Sequence, residues 1–270
     1  MRFAATAFLC LLLLTAGAAR SRTPAAPPAV EQADPALPRL TGGSERNQRP
    51  GVAVHLQAQR ANPGRVFAQG NPARPMVALT FDDGPDAVYT PQVLDILKAA
   101  GVHATFFFTG HRVETYPDVA RRTVREGNEI GNHSYDHPNL TRVSAAEVAS
   151  QLRRTDAIIR QWAGVEPRLF RPPYGKYNDT VLQVAKDLGY QVILWSTDSL
   201  DWESLTADQI VRNAAPGIAP GGIILMHSAS GGPQEVLTGT IRALPRIIRN
   251  ARNQGLRLVT VSEMLAPVRS

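Results

Sequence analysis

The chain has 270 residues, with 29 Lys and Arg against 23 Asp and Glu, a formal charge of +6 and a single cysteine. The whole surplus lies in residues 1–75, which hold nine Arg and three acidic residues, and the remainder is balanced. A neutral body with a basic tail and no basic patch woven with aromatics excludes a nucleic-acid reader, and a lone Cys10 excludes a disulfide framework or a thiolate metal site.

Arg2, the apolar run Phe8 to Leu14 and the small residues Ala16-Gly17-Ala18 read as an export signal over residues 1–19. The run is short for a membrane span, so cleavage is expected, with an uncleaved anchor as the alternative. The protein is expected to be secreted or associated with the cell envelope. Residues 20–62 are rich in Ala, Pro, Gln and Arg without a sustained period and read as a disordered linker. Their arginines offer contact with an anionic envelope surface. A merely solvated segment is the alternative, in keeping with 26 Arg against three Lys in the chain. Val66-Phe67-Ala68 reads as a short strand that caps a single catalytic domain over residues 63–270, taken to act as a monomer.

From residue 76 the pattern alternates. Strands are expected at 76–81, 103–108, 128–132, 168–171, 191–196, 222–227 and 256–261, with helical periodicity at 90–100, 116–126, 144–163, 178–188, 206–214 and 234–252. Gly101, Gly127, Gly164, Gly189 and Gly255 each follow a helical stretch, where a C-terminal glycine belongs. About seven β-α units predict an α/β fold, an irregular (β/α) barrel of parallel strands. A doubly wound open sheet is the alternative, but Asp82-Asp83-Gly84-Pro85 is not the glycine-rich loop that such a sheet places after its first strand.

Five polar clusters fall at strand ends: Thr80-Phe81-Asp82-Asp83-Gly84-Pro85, His133-Ser134-Tyr135-Asp136-His137-Pro138, Arg171-Pro172-Pro173-Tyr174-Gly175, Asp198-Ser199-Leu200-Asp201-Trp202 and Leu225-Met226-His227. In a parallel barrel the carboxyl ends of all strands share one face, so the five converge on one cleft. Two adjacent carboxylates leaving a buried strand are costly unless a cation or a proton transfer takes up their charge. The four-residue spacing of His133 and His137 places both imidazoles on one side of a helical turn, and Asp83 supplies an oxygen ligand. Two histidines and one carboxylate suit a divalent metal, Zn²⁺ first, with Co, Ni or Mn as alternatives. Asp82 is then the candidate base and His227 the candidate acid from the opposite side. Ser134 lacks a glycine elbow, which argues against a serine nucleophile.

In order and in residues, these clusters resemble the five motifs of the NodB-like polysaccharide deacetylases, carbohydrate esterase family 4, over roughly 76–265. The resemblance implies a (β/α) barrel that lacks one unit of eight, and removal of acetyl groups from an acetylated polysaccharide. By that resemblance Asp82 is the general base, Asp83, His133 and His137 hold the metal, and Arg171 orients Asp82. The main-chain N–H of Tyr174 joins in holding the oxyanion, Asp201 tunes the acid His227, and Trp202 and Leu225 wall the acetyl pocket. The role of Asp198 stays open. The expected substrate is an N-acetylglucosamine polymer of a cell envelope, then chitin oligomers, then O-acetyl groups of acetylxylan. Two rivals are a metal-dependent amidase for a small non-sugar amide on the same barrel, and a silent carbohydrate-binding relative. The silent relative is expected to lack Asp82 or His227, and both are present.

Overall fold

The computed structural model describes residues 36–41, 48–231 and 236–267. The expected export signal and the first part of the expected linker lie outside them. Among the described residues, strands β1 (Val66–Phe67), β2 (Met76–Asp82), β3 (Thr105–Phe108), β4 (Glu129–Asn132), β5 (Leu169–Phe170), β6 (Gln191–Ile193), β7 (Thr197–Asp198) and β8 (Gly222–His227) form one sheet in the order β1-β6-β5-β4-β3-β2-β8-β7. A ninth, β9 (Arg257–Leu258), pairs with the start of β2, and every pairing is parallel. The helices are α1 (Val52–Ala61), α2 (Tyr89–Ala100), α3 (Gly110–Thr115), α4 (Pro117–Arg125), α5 (Ala145–Ala163), α6 (Asp179–Asp187), α7 (Ala207–Ala214), α8 (Thr238–Asn253) and α9 (Val261–Leu265). The five glycines expected to end helices all take the left-handed backbone, with φ between 62° and 82°.

The strand expected at 191–196 stops at Ile193, and a separate strand, β7, follows at Thr197–Asp198. Leu194 donates its N–H to Phe67 at 2.7 Å on one edge, and Ser196 donates to Ile223 at 3.0 Å on the other. β6 and β7 are close in sequence yet stand near opposite ends of the strand order, so the sheet must curl until its edges nearly meet. This is the expected barrel, with a seam between residues 193 and 197.

Strand parity builds the core. Met76 and Ala78 of β2, Phe107 of β3, Leu169 of β5, Ile193 and Trp195, and Ile223 and Leu225 of β8 pack together inside the curl. Val77, Leu79 and Phe81, one residue out of phase, pack outward with Val93, Leu97 and Ile247 of the helices. Each such side chain, fully buried, contributes about 1.5–3 kcal/mol. Val261 and Met264 of α9 close the lower end of the interior, beside the start of β2. The strand expected at 256–261 is therefore cut to two residues. Thr260 starts α9 with a capping box to Glu263.

Two further corrections concern local structure. Residues 110–115, between the strand expected at 103–108 and the helix expected at 116–126, form α3, and residues 52–61, expected as part of the disordered linker, form α1. Only His55 and Ala58 of α1 are buried, which is too thin a stripe to register as a helical period. The helix is held by its neighbours: the His55 ring packs edge-on to Trp195 at 4.3 Å, and Gln59 Oε1 accepts from the N–H groups of Ala68 and Gln69 at 2.7 and 2.9 Å.

Candidate active site

The inward rows of the strands end in polar residues at the carboxyl face. After Met76 and Ala78 come Thr80 and Asp82, after Leu169 comes Arg171, and after Ile223 and Leu225 comes His227. β4 carries Gly131, and His133 follows on the same parity just past the strand's end. A side chain at Gly131 would strike the Phe107 ring, at 2.6 Å from a built Cβ, so glycine lets the filled interior continue beneath the histidine. The residues that carry the chemistry thus take the next places after an apolar row.

His133 Nε2 and His137 Nε2 each stand 3.5 Å from Asp83 Oδ1, and all three side chains are buried. One ligand atom from each lies within 4.8 Å of the others. Asp83 Oδ1 has no hydrogen-bond partner. A buried carboxylate oxygen in that condition is unfavourable unless a cation sits against it. Ligand atoms at tetrahedral angles on bonds of 2.0–2.2 Å are about 3.4 Å apart, which matches the observed separations. His133 Nδ1 lies 2.7 Å from the Arg171 carbonyl, which fixes the proton there and turns the Nε2 lone pair toward Asp83. His137 Nδ1 lies 3.2 Å from the Tyr174 hydroxyl. Burial opposes ionisation of Asp83, but the two histidines outweigh it and hold its carboxyl well below the usual carboxylate range. Burial pushes His137 down to about 3, with Asp83 working against that fall. The residues fit a divalent cation.

The two histidines do not share a helical turn, contrary to expectation. Residues 133–137 form an irregular bend in which Ser134 and His137 take φ of 66° and 65°. Ser134 donates its N–H to Asn132 Oδ1 at 2.8 Å, and His137 donates its N–H to Ser134 Oγ at 3.1 Å. Asp83 and Tyr174 are also left-handed, at 69° and 62°. A non-glycine residue there costs roughly 1–2 kcal/mol, which the surrounding contacts must offset.

Beside the three ligands stands Asp82. Arg171, fully buried, donates from Nη1 to Asp82 Oδ1 at 2.7 Å and to Thr80 Oγ1 at 2.9 Å. Its other donors reach the carbonyls of Ile193 and Leu194 at 3.2 and 3.1 Å, and its plane lies over Phe107 at 4.1 Å. Asp82 Oδ2 faces His133 Nε2 at 3.7 Å. His227 stands at the end of the neighbouring strand β8, paired in register with Asp82, and its Nδ1 meets Asp201 Oδ1 at 2.7 Å. Asp201 Oδ2 accepts from the His227 main chain and from Thr240, both at 2.9 Å. Burial opposes protonation of His227, but Asp201 prevails and pushes it up to about 9, with Arg49 working against that rise. Trp202 and Leu225 are buried, the latter one inward place below His227.

All ten candidate residues therefore come to one end of the barrel. Four others were not foreseen. Arg112, buried on α3, donates to the carbonyl of Asp83 at 2.7 Å and so steadies that left-handed residue. Thr80 links Arg171 to the Ile224 carbonyl. Trp195 lines the interior beneath Arg171. Arg49 reaches Asp198 and His227 from the segment expected to be linker. Only Thr80, a polar residue in phase with Asp82, left a readable signal.

The polysaccharide deacetylase family profile matches residues 69–193. A peptidoglycan-N-acetylglucosamine deacetylase of Bacillus cereus is 42% identical over 188 residues, covering 70% of this chain and 67% of that protein. The crystal structure of the peptidoglycan N-acetylglucosamine deacetylase Bc1960 is similar at a TM-score of 0.71 and 40% identity, covering 74% of this chain and 92% of that one. BA3943 of Bacillus anthracis, described as a CE4 family pseudoenzyme, is similar at a TM-score of 0.69 and 33% identity, covering 76% and 70%. The expected barrel, the five motifs in order at its carboxyl face and these relatives agree: the chain belongs to the polysaccharide deacetylases of carbohydrate esterase family 4, and it is a hydrolase.

Proposed function

We propose that the chain is an exported, metal-dependent N-deacetylase of N-acetylglucosamine units in a cell-envelope polysaccharide. The observation that carries this reading is the buried, unpartnered Asp83 Oδ1 between two imidazole nitrogens, flanked by Asp82–Arg171 and Asp201–His227. Peptidoglycan is the favoured polymer because the B. cereus relative is named for it. The basic N-terminal segment is assigned to contact with the anionic envelope, and the export signal to residues 1–19.

Asp83, His133 and His137 would hold the cation, with Zn²⁺ the best match to the donor set. When bound, a divalent cation there polarises the acetyl carbonyl and makes a nearby water more acidic. Asp82 takes the proton of the attacking water at Oδ2, while Arg171 holds Oδ1 and fixes the carboxylate in direction. The Tyr174 main-chain N–H, turned by its left-handed φ, donates to the oxyanion. His227 Nε2 gives a proton to the departing amine, and Asp201 on Nδ1 stabilises the imidazolium that gives it. The indole of Trp202 and the side chain of Leu225 exclude water beside the acetyl methyl.

Acetate release measured on N-acetylglucosamine oligomers, peptidoglycan, acetylxylan and a small non-sugar amide tests the reading. Activity on the first two, lost with chelator and restored by Zn²⁺, Co²⁺, Ni²⁺ or Mn²⁺, is expected. Turnover of acetylxylan or the small amide alone, or full activity after exhaustive metal removal, would overturn it.

A further inference from the structure

Arg49 stands where the substrate has to be. Its Nη1 donates to Asp198 Oδ2 at 2.7 Å, and its Nη2 lies 2.8 Å from His227 Nε2. Its guanidinium faces the rings of Trp202 at 4.9 Å and Trp195 at 5.5 Å. The side chain is 9% exposed although its segment runs over the surface. Neighbouring residues are fastened along the same rim. Arg112 donates to the Pro38 carbonyl at 3.1 and 3.0 Å, Thr41 donates twice to the Asp136 carbonyl at 2.9 Å, and Asn139 donates to Gln48 at 3.2 Å. Asp136 lies between the two histidine ligands, so the fastened residues border the metal site as well as the acid.

The hydrogen bond at 2.8 Å has one chemical meaning. A guanidinium only donates, so Arg49 can be seated only while His227 Nε2 offers its lone pair, with the ring proton on Nδ1 toward Asp201; the seated arginine and the protonated ring exclude each other, and Arg49 opposes the rise that Asp201 causes. An imidazolium ready to give its proton would point an N–H at another N–H, and a charge at a charge. The amine to be protonated must also come within about 3 Å of that nitrogen, a place already taken by Arg49 Nη2. Arg49 and a productive sugar cannot be bound together.

Resting on the reading of His227 as proton donor, we propose that Asp198, Trp202, Trp195 and His227 form a guanidinium-binding site, and that Arg49 fills it as an intramolecular plug. The planar cation finds in one place a carboxylate, two aromatic faces and an imidazole acceptor. Asp198, whose other oxygen accepts from Leu200 N–H at 2.9 Å, gains its partner in this way. Deacetylation requires Arg49 to leave, and the residues fastened at 36–41 and 48 make its return fast.

The test uses the full chain with Arg49→Ala and Arg49→Lys. A plug in competition with substrate divides the apparent affinity by the open fraction. For one partly buried ion pair with aromatic contacts, KM should fall about tenfold in Arg49→Ala with kcat nearly unchanged. Arg49→Lys, which keeps the charge but not the fork, should lie between. A KM that rises or stays the same in Arg49→Ala would overturn the proposal, a rise meaning that Arg49 binds substrate. A second readout needs no activity: carbethoxylation of His227, followed by peptide mass mapping, with the limiting rates at high pH compared so that the ring is unprotonated in both proteins. Arg49→Ala should label several times faster than wild type, and added arginine amide should slow it again; equal rates would sink the plug. Should neither protein release acetate from any substrate, the functional reading fails while the labelling still decides the plug.

Discussion

Replacing Asp201 with Asn removes one charge from a fully buried site and changes little else in volume. His227 rises from 6.5 to about 9, against the burial that alone would lower it, because Asp201 accepts at 2.7 Å from Nδ1. At about 1.4 kcal/mol per unit, that rise corresponds to an interaction on the order of 3 kcal/mol. Asn offers an N–H₂ or a weaker acceptor, so His227 should titrate below 6.5 in the variant. The pH profile of kcat/KM on acetylated oligomers should move its alkaline limb down by two units or more. At pH 7, kcat should fall roughly 10²- to 10⁴-fold, as expected for loss of the general acid. Stability gives an independent sign. A raised histidine stabilises fully below its unfolded value and loses that contribution as pH rises through about 9. Asp201 is depressed, burial opposing and His227 prevailing, so it stabilises above about 3.8 and loses that as pH falls. The melting deficit of the variant should be greatest between about pH 4 and 6.5, on the order of 5–10 °C, and should shrink above pH 9. A melting deficit with an unmoved alkaline limb would refute the reasoning, because Asp201 would then support the fold and not the proton donor.

Asp82→Asn should keep the metal content, measured by plasma mass spectrometry, while acetate release is lost; full activity would remove Asp82 from the chemistry. His133→Ala should lower metal occupancy and turnover together, and an unchanged stoichiometry would reject it as a ligand. Arg171→Met leaves Asp82 and two buried carbonyls without their donor, so unfolding free energy in urea should drop by about 3–5 kcal/mol; a loss below about 1 kcal/mol would show that water already serves those groups.

How far the sequence disclosed this site follows from two different kinds of order. Side-chain parity along a strand is a period of two, and it is written in the residues. Met76, Ala78, Thr80 and Asp82 share one face of β2, and Ile223, Leu225 and His227 share one face of β8. Once the strands are parallel, those rows must end on one side, so the convergence of Asp82, Arg171 and His227 could be read before any coordinates. The bend 133–137 was misread because spacing alone does not distinguish a helical turn from a pair of left-handed residues. That choice is made by Asn132 Oδ1 and Ser134 Oγ, which accept main-chain donors within the bend. The break between residues 193 and 197 was hidden for a related reason: Val192 to Trp195 form one apolar run, and only the different partners of Leu194 and Ser196, the carbonyls of Phe67 and Ile223, divide it.

Arg49 left no trace because nothing local places it. Its neighbours carry no period, and its position depends on Asp198, 149 residues away, and His227, 178 residues away. Composition assigned its segment to solvent, where an arginine needs no partner. The same residue in the cleft alters the meaning of the five motifs. They specify what the site does to a sugar that has reached it, whereas Arg49 governs how often the site is open. Two relatives with all ten candidate residues in common would then differ in apparent affinity according to what precedes their barrels. An N-terminal segment swapped between them should carry KM with it and leave kcat behind.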